Sequence, residues 1–504
     1  MAESQPGRRH REREVKLGAT SSFRMPSLAD LAEGPTASAE ETERLSTTYL
    51  DTDDLRLARW GVSLRYRERE GWTVKLPSEG DGPLLVRPEL VFPGNGGRPP
   101  AAAVDLVRAF VRSEELHPQT RLETVRRRTE LRHADGRLLA DVVDDDVSVL
   151  EGSRVAARFR QLEVEVRDEP PAGLLDELLE RLRGAGAGAP DPTPKYIRAL
   201  GARAGRPPEV AIPELGAGAS AGDVVRGALA SSVVRLIVHD PVVRLDTDPE
   251  GVHQARVATR RLRSDLRTFA TLLDPAWSDA LREELSLLGA ILGAVRDKDV
   301  LLARLEKRAA ALPEPSARGA ARVVATVESE REEAYADLLG ALRGRRYLAF
   351  LDRLVEAANA PALLLEADLP AASVLPGIVR RPWRAVAKRV RALGESPTDA
   401  QLHEVRICTK RVRYAAEAVT PLVGKQAHAF ARAAAALQDV LGDLNDAVVA
   451  ERWLRDWART SRSIPSVFAA GELAGLEHAT AAECRRRWRE DWKALASPRL
   501  RSWM

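Results

Sequence analysis

R-E-R-E-V-K-L, residues 11–17, alternates in a way that decides how the first part of the chain is read. Successive side chains of an extended strand point to opposite faces. Glu12, Glu14 and Lys16 therefore share one face, and Val15 and Leu17 share the other. A half-buried strand normally turns its polar face to water. Two carboxylates and an ammonium in a row can equally line a polar cavity, and later segments bear on the choice.

The alternation recurs. V-S-L-R-Y-R-E-R (62–69) passes through a Gly turn into W-T-V-K-L-P (72–77). L-E-T-V-R-R-R-T-E-L (122–131), L-L-A-D-V-V-D-D-D-V-S-V-L (138–150) and F-R-Q-L-E-V-E-V (159–166) follow, with H-A-D-G (133–136) and E-G-S (151–153) as hairpin turns. Helices near 101–115 and 171–183 complete a mostly antiparallel sheet region. Arg65 and Arg67 share a face, as do Thr73 and Lys75, Arg126 and Arg128, and Glu163 and Glu165. Carboxylates thus stand at both ends of the region and basic groups on the strands between. Burying such a face is costly unless the charges pair or meet a ligand. A closed sheet with a polar interior resolves the problem. Its carboxylates could hold a hard divalent cation, Mg2+ or Mn2+, which takes oxygen ligands; its Arg and Lys could grip phosphoryl oxygens. No Gly-rich run ending G-K-S/T occurs, so phosphate contacts would come from side chains rather than from a P-loop.

Composition bounds the rest. With 504 residues, 44% of them hydrophobic, the chain can bury at least two cores. Lys and Arg total 77 against 74 Asp and Glu, a formal charge of +3, so an anion site requires local clustering. Cys408 and Cys484 are far apart and form neither a disulfide framework nor a ligand pattern. No signal-peptide core and no apolar run of about 20 residues is present. These features predict a cytoplasmic protein with no membrane partner.

E-R-E-V-K (12–16), Y-L-D-T (49–52), L-R-Y-R (64–67), T-V-K-L (73–76) and E-V-E (163–165) together resemble the CYTH family, the triphosphate tunnel metalloenzymes, over roughly residues 8–200. The resemblance implies an eight-stranded antiparallel tunnel with an acidic metal side and a basic phosphate side. Glu12 and Glu14 match the signature carboxylates, with Lys16 beside them as a catalytic group, and Glu163 and Glu165 match the late pair. Lys16, Arg65, Arg67, Lys75 and Arg126 match phosphate-contacting positions, and Arg128 shares the face of Arg126. In D-D-D (144–146) the single acidic ligand is Asp144 or Asp145, and the spacing to Val147 favours Asp145. Lys195, in P-K-Y-I-R-A-L (194–200), matches a late Lys-Tyr element or merely anchors the domain end. Activity in the family usually means metal-dependent hydrolysis of a triphosphate, although adenylate cyclases share the fold.

Residues 201–220, rich in Gly, Ala and Pro, read as a linker, so the domains are 1–200 and 221–504. Beyond the linker the period becomes helical. V-H-Q-A-R-V-A-T-R-R-L-R (252–263) resembles L-H-E-V-R-I-C-T-K-R-V-R (402–413), and L-G-A-V-R-D-K-D-V (292–300) answers L-G-D-L-N-D-A-V-V (441–449). His253 and His403 lie 150 residues apart and Gly293 and Gly442 lie 149 apart, which describes a duplicated helical unit. His253, Arg256, Arg260, Arg263 and Arg267 form one basic stripe at helical spacing; His403, Arg406, Lys410 and Arg413 form its copy. Val257 and Leu266 should face the bundle.

These blocks resemble the CHAD family, the conserved histidine alpha-helical domain, over about residues 221–504. That implies two pseudo-symmetric four-helix bundles whose basic surface binds inorganic polyphosphate. Asp297 and Asp299 match the acidic element of the first copy; Asp446 survives in the second, but Asn445 and Val448 replace Arg296 and Asp299. Nucleic acid is disfavoured because no aromatics interleave with the stripes and no recognition-helix pattern is visible. The fold expected is α+β, a tunnel barrel followed by an all-α domain. The function expected is divalent-metal-dependent hydrolysis of inorganic triphosphate, with polyphosphate bound by the helices. A non-catalytic polyphosphate scaffold associated with granules is the alternative, and an adenylate cyclase a third reading.

Overall fold

Val15 and Leu17 do bury one face of the opening strand, and that face is the outside of a barrel. The computed structural model describes residues 8–28, 31, 35–77, 84–167, 170–216 and 218–504. In it, strands β1 (Arg8–Ala19), β2 (Thr36–Ala37), β3 (Glu41–Asp51), β4 (Ser63–Arg67), β5 (Gly71–Lys75), β6 (Leu85–Phe92), β7 (His117–Arg132), β8 (Leu138–Glu151) and β9 (Arg154–Val166) join in one antiparallel sheet. The order β7-β3-β4-β5-β6-β1-β9-β8 closes on itself through pairing of β8 with β7, giving the expected eight-stranded ring, and β2 adds to β7 alone.

Four helices attend the ring: α1 (Arg56–Arg59), α2 (Ala101–Val111), α3 (Leu174–Gly184) and α4 (Lys195–Leu200). Leu174, Leu178 and Leu182 of α3 cover Leu17, Val142, Leu162 and Val164, so the apolar side chains of β1, β8 and β9 face outward onto a helix. The charged alternates are left inside. Asp51, in Y-L-D-T, turns the chain out of β3: its carboxylate accepts the amides of Thr52, Leu57 and Ala58 and starts α1. Helix α4 fills one end of the interior. Tyr196 stacks on Tyr49 at 5.2 Å, donates to the Val62 carbonyl at 2.8 Å and packs with Leu122, Val147 and Val149. The tunnel is therefore blind at that end.

The chain divides into two compact units, Met1–Glu209 and Val210–Met504. The stretch expected as a linker belongs partly to each. Glu209 accepts hydrogen bonds from Trp60 and Arg112 of the barrel, whereas Pro213 and Leu215 pack against Gly227 of the helical unit.

That unit contains α5 (Ala221–Leu245), α6 (Glu250–Thr268), α7 (Pro275–Ala309), α8 (Glu314–Arg343), α9 (Arg345–Asn359), α10 (Ala371–Arg391), α11 (Asp399–Val423), α12 (Lys425–Thr460) and α13 (Ile464–Leu495). Helices α5–α8 and α10–α13 repeat one order, with α9 between them, and α6 packs on α11. Ser220 with Asp223 caps α5, and Thr398 with Gln401 caps α11, both as capping boxes. Leu301, Leu305, Val323, Leu454, Ala469 and Leu473 make a core drawn from both copies. There α8 and α13 approach so closely that a Cβ on Gly319 would stand 2.4 Å from the Pro465 carbonyl oxygen. Leu266 faces the bundle as expected, but Val257 is only half-buried. No helix among the described residues is long and apolar enough to cross a membrane.

Candidate functional site

The period of the strands turns Glu12, Glu14 and Lys16 of β1 inward, and the ring brings Arg65, Lys75, Arg126, Glu163, Glu165 and Lys195 to the same cavity of about 80 Å3. All are buried or half-buried. Asp145, with no exposed side-chain surface, receives Arg126 in a two-pronged pair (2.9 and 2.7 Å) and Lys195 at 2.5 Å. Lys195, delivered by the first turn of α4, also reaches Glu163 at 2.7 Å. Lys75 bonds both oxygens of Glu12 at 2.7 Å, and Lys16 pairs with Glu14. Burial alone would raise the Glu12 carboxyl, but Lys75 and Lys16 outweigh it and hold it near 2. Burial is likewise overruled at Glu163, where Lys195, Lys16 and Arg126 keep the carboxyl well below its usual range.

Two of the expected phosphate contacts, Arg67 and Arg128, are not among the residues that line this cavity. Arg67 is buried, but its guanidinium goes to Thr47 and Glu70, both at 2.8 Å, and it lies outside the cavity lining. Arg128 turns to Asp141 at 2.7 Å and Glu130 at 2.9 Å. Arg87 and Glu89 of β6 were not anticipated. Pro88, which has no amide hydrogen, hides the strand from an alternation count although Arg87 and Glu89 bracket it at the right spacing. Glu89 accepts from Arg65 at 3.2 Å and Lys75 at 3.0 Å. Arg87 lines the cavity and is buried, yet it has no hydrogen-bond or ion-pair partner among the described residues. The Nε of Arg65 is also unpartnered.

In the helical unit the two stripes meet where α6 crosses α11. Gly293 and Gly442, the residues that marked the duplication, make room for matched arginines: added Cβ atoms would lie 3.4 Å from Arg256 and 3.7 Å from Arg406. Arg260, Arg263, Arg267 and Lys410 line a recess of about 150 Å3, joined by Arg282 and Arg411, which lie off the predicted stripes. Burial, with Arg406, Arg260 and Arg256 close by, pushes the Lys410 amine down to about 7. The Nε atoms of Arg260 and Arg406 are buried without partners. His253 is held below its ordinary value by burial and then by Arg296. His403 bonds Asn445 at 2.7 Å, which gives that departure from the first copy a local role. Arg413 spends its guanidinium on Glu417 at 2.7 Å. Asp297 restrains Arg256 at 2.6 Å, while Asp299 bonds Arg331 at 2.7 Å.

An antiparallel tunnel barrel with an ionised interior, followed by a duplicated helical unit with a basic seam, defines a two-domain class. The chain belongs to the CYTH family, with a CHAD domain behind it: the CYTH domain model matches residues 10–197 and the CHAD domain model residues 227–455. The uncharacterized proteins MT2285 and Rv2226 from two strains of Mycobacterium tuberculosis are each 31% identical over 507 residues, covering 95% of this chain and 94% of theirs. Among solved structures, the CHAD domain of the plant Ricinus communis is 28% identical over 57% of this chain and 96% of that one, with a TM-score of 0.47.

CYTH domains are generally metal-dependent, and the tunnel's donors suit a hard cation in kind because every one is a carboxylate oxygen. Glu14 and Glu165 are direct cross-strand partners. Like charges so opposed repel, and a cation would relieve them. The five expected ligands nevertheless do not form one group: among the described residues no three acidic, His or Cys side chains converge as a metal site. Asp145 in particular is committed to Arg126 and Lys195 and fits a positioning role better than ligation.

Because Glu12 is depressed in the fold, its stabilising contribution is present above its unfolded value near 4.5 and is lost as pH falls toward 2. Denaturation followed from pH 6 to 2 should show the barrel weakening across that window by a few kcal/mol. Replacing Glu12 by Gln should flatten the slope; an unchanged slope would contradict the pairing.

Proposed function

We propose that the tunnel hydrolyses a short inorganic triphosphate and that the helical seam binds polyphosphate. The observation that carries the first half is the buried, unpartnered Arg87 beside the unpartnered Nε of Arg65 in a cavity already lined by Lys16, Lys75 and Arg126. A buried guanidinium whose donors are unmade is costly even with Glu12 across the strand pair, and phosphoryl oxygens would satisfy it with charge-assisted hydrogen bonds. The small polar cavity, blind at the Tyr196 end, has little apolar wall for an organic group, which supports an inorganic substrate.

In this reading Arg65, Arg87, Lys75 and Arg126 hold the phosphate chain and stabilise charge that develops as the P–O bond to the leaving phosphate breaks. Water supplies the new P–O bond. Asp145 and Glu163 keep Arg126 and Lys195 in place. Carboxylates held near 2 or well below the usual range are weak bases, so these side chains act mainly by charge and position. The opposed carboxylates Glu14 and Glu165 are the pair that would hold Mg2+ or Mn2+; such an ion would neutralise the phosphates and acidify water. The scaffold reading has one observation in its favour: the acidic side chains are already neutralised by Lys and Arg.

Phosphate release from tripolyphosphate should require a divalent metal and fall about a hundredfold or more on Glu12→Gln or Glu14→Gln. Tripolyphosphate binding with no turnover under Mg2+ or Mn2+ would leave the scaffold; cyclic AMP formed from ATP would redirect the reading to cyclisation.

The second half rests on the convergence of Arg256, Arg260, Arg406 and Lys410, whose mutual repulsion a polyanion would relieve. Reversing these four to Glu should abolish polyphosphate binding, and raised salt should weaken binding of the parent protein. A Lys410 amine near 7 is partly neutral at physiological pH and would be recharged by the ligand. Binding at pH 7–8 should therefore take up protons, seen as heats that depend on the buffer. Lys410→Arg should bind without that uptake, because Arg is always charged; equal uptake in both proteins would contradict the assignment.

A further inference from the structure

Away from both sites, the helical unit encloses a cavity of about 190 Å3 between α5, α6 and α11, roofed by Ile212, Pro213 and Leu215. Asp265 of α6 lines it. This residue is only 5% exposed, and its carboxyl oxygens have no hydrogen-bond or ion-pair partner among the described residues. The nearest acid, Glu417 of α11, is shared by Arg261 at 2.5 Å and Arg413 at 2.7 Å. Asp265 is thus the carboxyl of this pair without a direct ion pair, although Arg261, whose Nε is unpartnered, lines the same cavity. Burial pushes it up to about 8, more than the attraction of nearby Arg261 offsets, as expected of a buried carboxyl with no direct ion pair.

A buried polar group left unmade is destabilising, and a native fold that keeps one usually holds an unseen water, ion or ligand there. The volume and the walls decide among these. The space exceeds what one ion or one water fills. About half of the lining is apolar, with Val224, Ala418 and Pro421 beside the hydroxyls of Ser231 and Ser232. A bare divalent metal wants six or more oxygens, and no three potential ligand side chains gather there among the described residues. We propose that this cavity binds a small organic cation, an alkylammonium whose head meets Asp265 and the serine hydroxyls while its short carbon body lies against the apolar wall. Pro213 and Leu215 of the roof lie close over Gly227, where an added Cβ would stand 3.6 Å and 3.9 Å from them. The site is independent of the polyanion seam, although Tyr414 borders both.

The test is calorimetric titration of the full chain with n-propylammonium chloride, with n-propanol as the uncharged counterpart and sodium chloride at equal ionic strength. Saturable one-to-one binding of the ammonium, tighter than that of propanol, is expected. Asp265→Asn, which keeps shape and removes charge, should weaken it about tenfold or more. Ala418→Leu, which fills the cavity and leaves the carboxyl in place, should weaken it too, with folding of both variants checked by circular dichroism. Equal affinity for ammonium and alcohol, undiminished binding by either folded variant, or no saturable heat up to about 20 mM would overturn the proposal and leave a water-filled cavity.

Discussion

Asp145 has no exposed side-chain surface, yet Arg126 from β7 and Lys195 from the plug helix α4 both reach its Oδ2. The tunnel depends on such charge neutralisation inside a closed wall. An isolated ion in that interior would cost several kcal/mol, so the barrel can keep an ionised lining only if each charge finds its opposite. Lys75 answers Glu12 and Glu89, Lys16 answers Glu14, and Lys195 answers both Asp145 and Glu163. The outer apolar face under α3 supplies the burial that holds this wall together. Arg87, opposite Glu12 in the strand register, makes no hydrogen bond or ion pair among the described residues, and in the proposed reading a phosphate would take up its free donors.

The helical unit meets the same constraint with the opposite sign of error. Its two basic helices pack on one another, and Arg256 and Arg406 come close to Gly293 and Gly442 of the neighbouring helices. At the seam, burial and then the repulsion of Arg406, Arg260 and Arg256 drive the Lys410 amine down to about 7. In the proposed reading a polyanion would relieve that like-charge repulsion. The Asp297 contact to Arg256 tempers that repulsion in the first copy, and Asn445 orients His403 in the second.

Much of this was legible in the sequence because it rests on period. Alternation exposed the inward charges of β1, β4, β5, β7 and β9, and the 149- and 150-residue offsets exposed the duplication. What escaped depends on partners rather than period. β6 was hidden by Pro88, and with it Arg87 and Glu89. Arg67, Arg128 and Arg413 have the right spacing, but Glu70, Asp141 and Glu417 claim them through turns and neighbouring strands or helices that a one-dimensional pattern does not reveal. Asp145 was found as an acid of the right strand, yet its role as an anchor follows only from Arg126 and Lys195 closing over it. Asp265 gave no signal at all, because a missing partner is visible only in three dimensions.

The central claim, that the barrel keeps a buried cation unsatisfied for the sake of a phosphate ligand, is tested most directly through Arg87. Thermal unfolding of the full chain and of Arg87→Ala would be measured with and without tripolyphosphate in the presence of Mg2+. Removing a buried guanidinium whose donors are unmade should raise the melting temperature of the ligand-free barrel while abolishing most of the stabilisation that tripolyphosphate gives the parent protein. A variant that melts lower without ligand and is stabilised by tripolyphosphate as much as the parent would contradict the account.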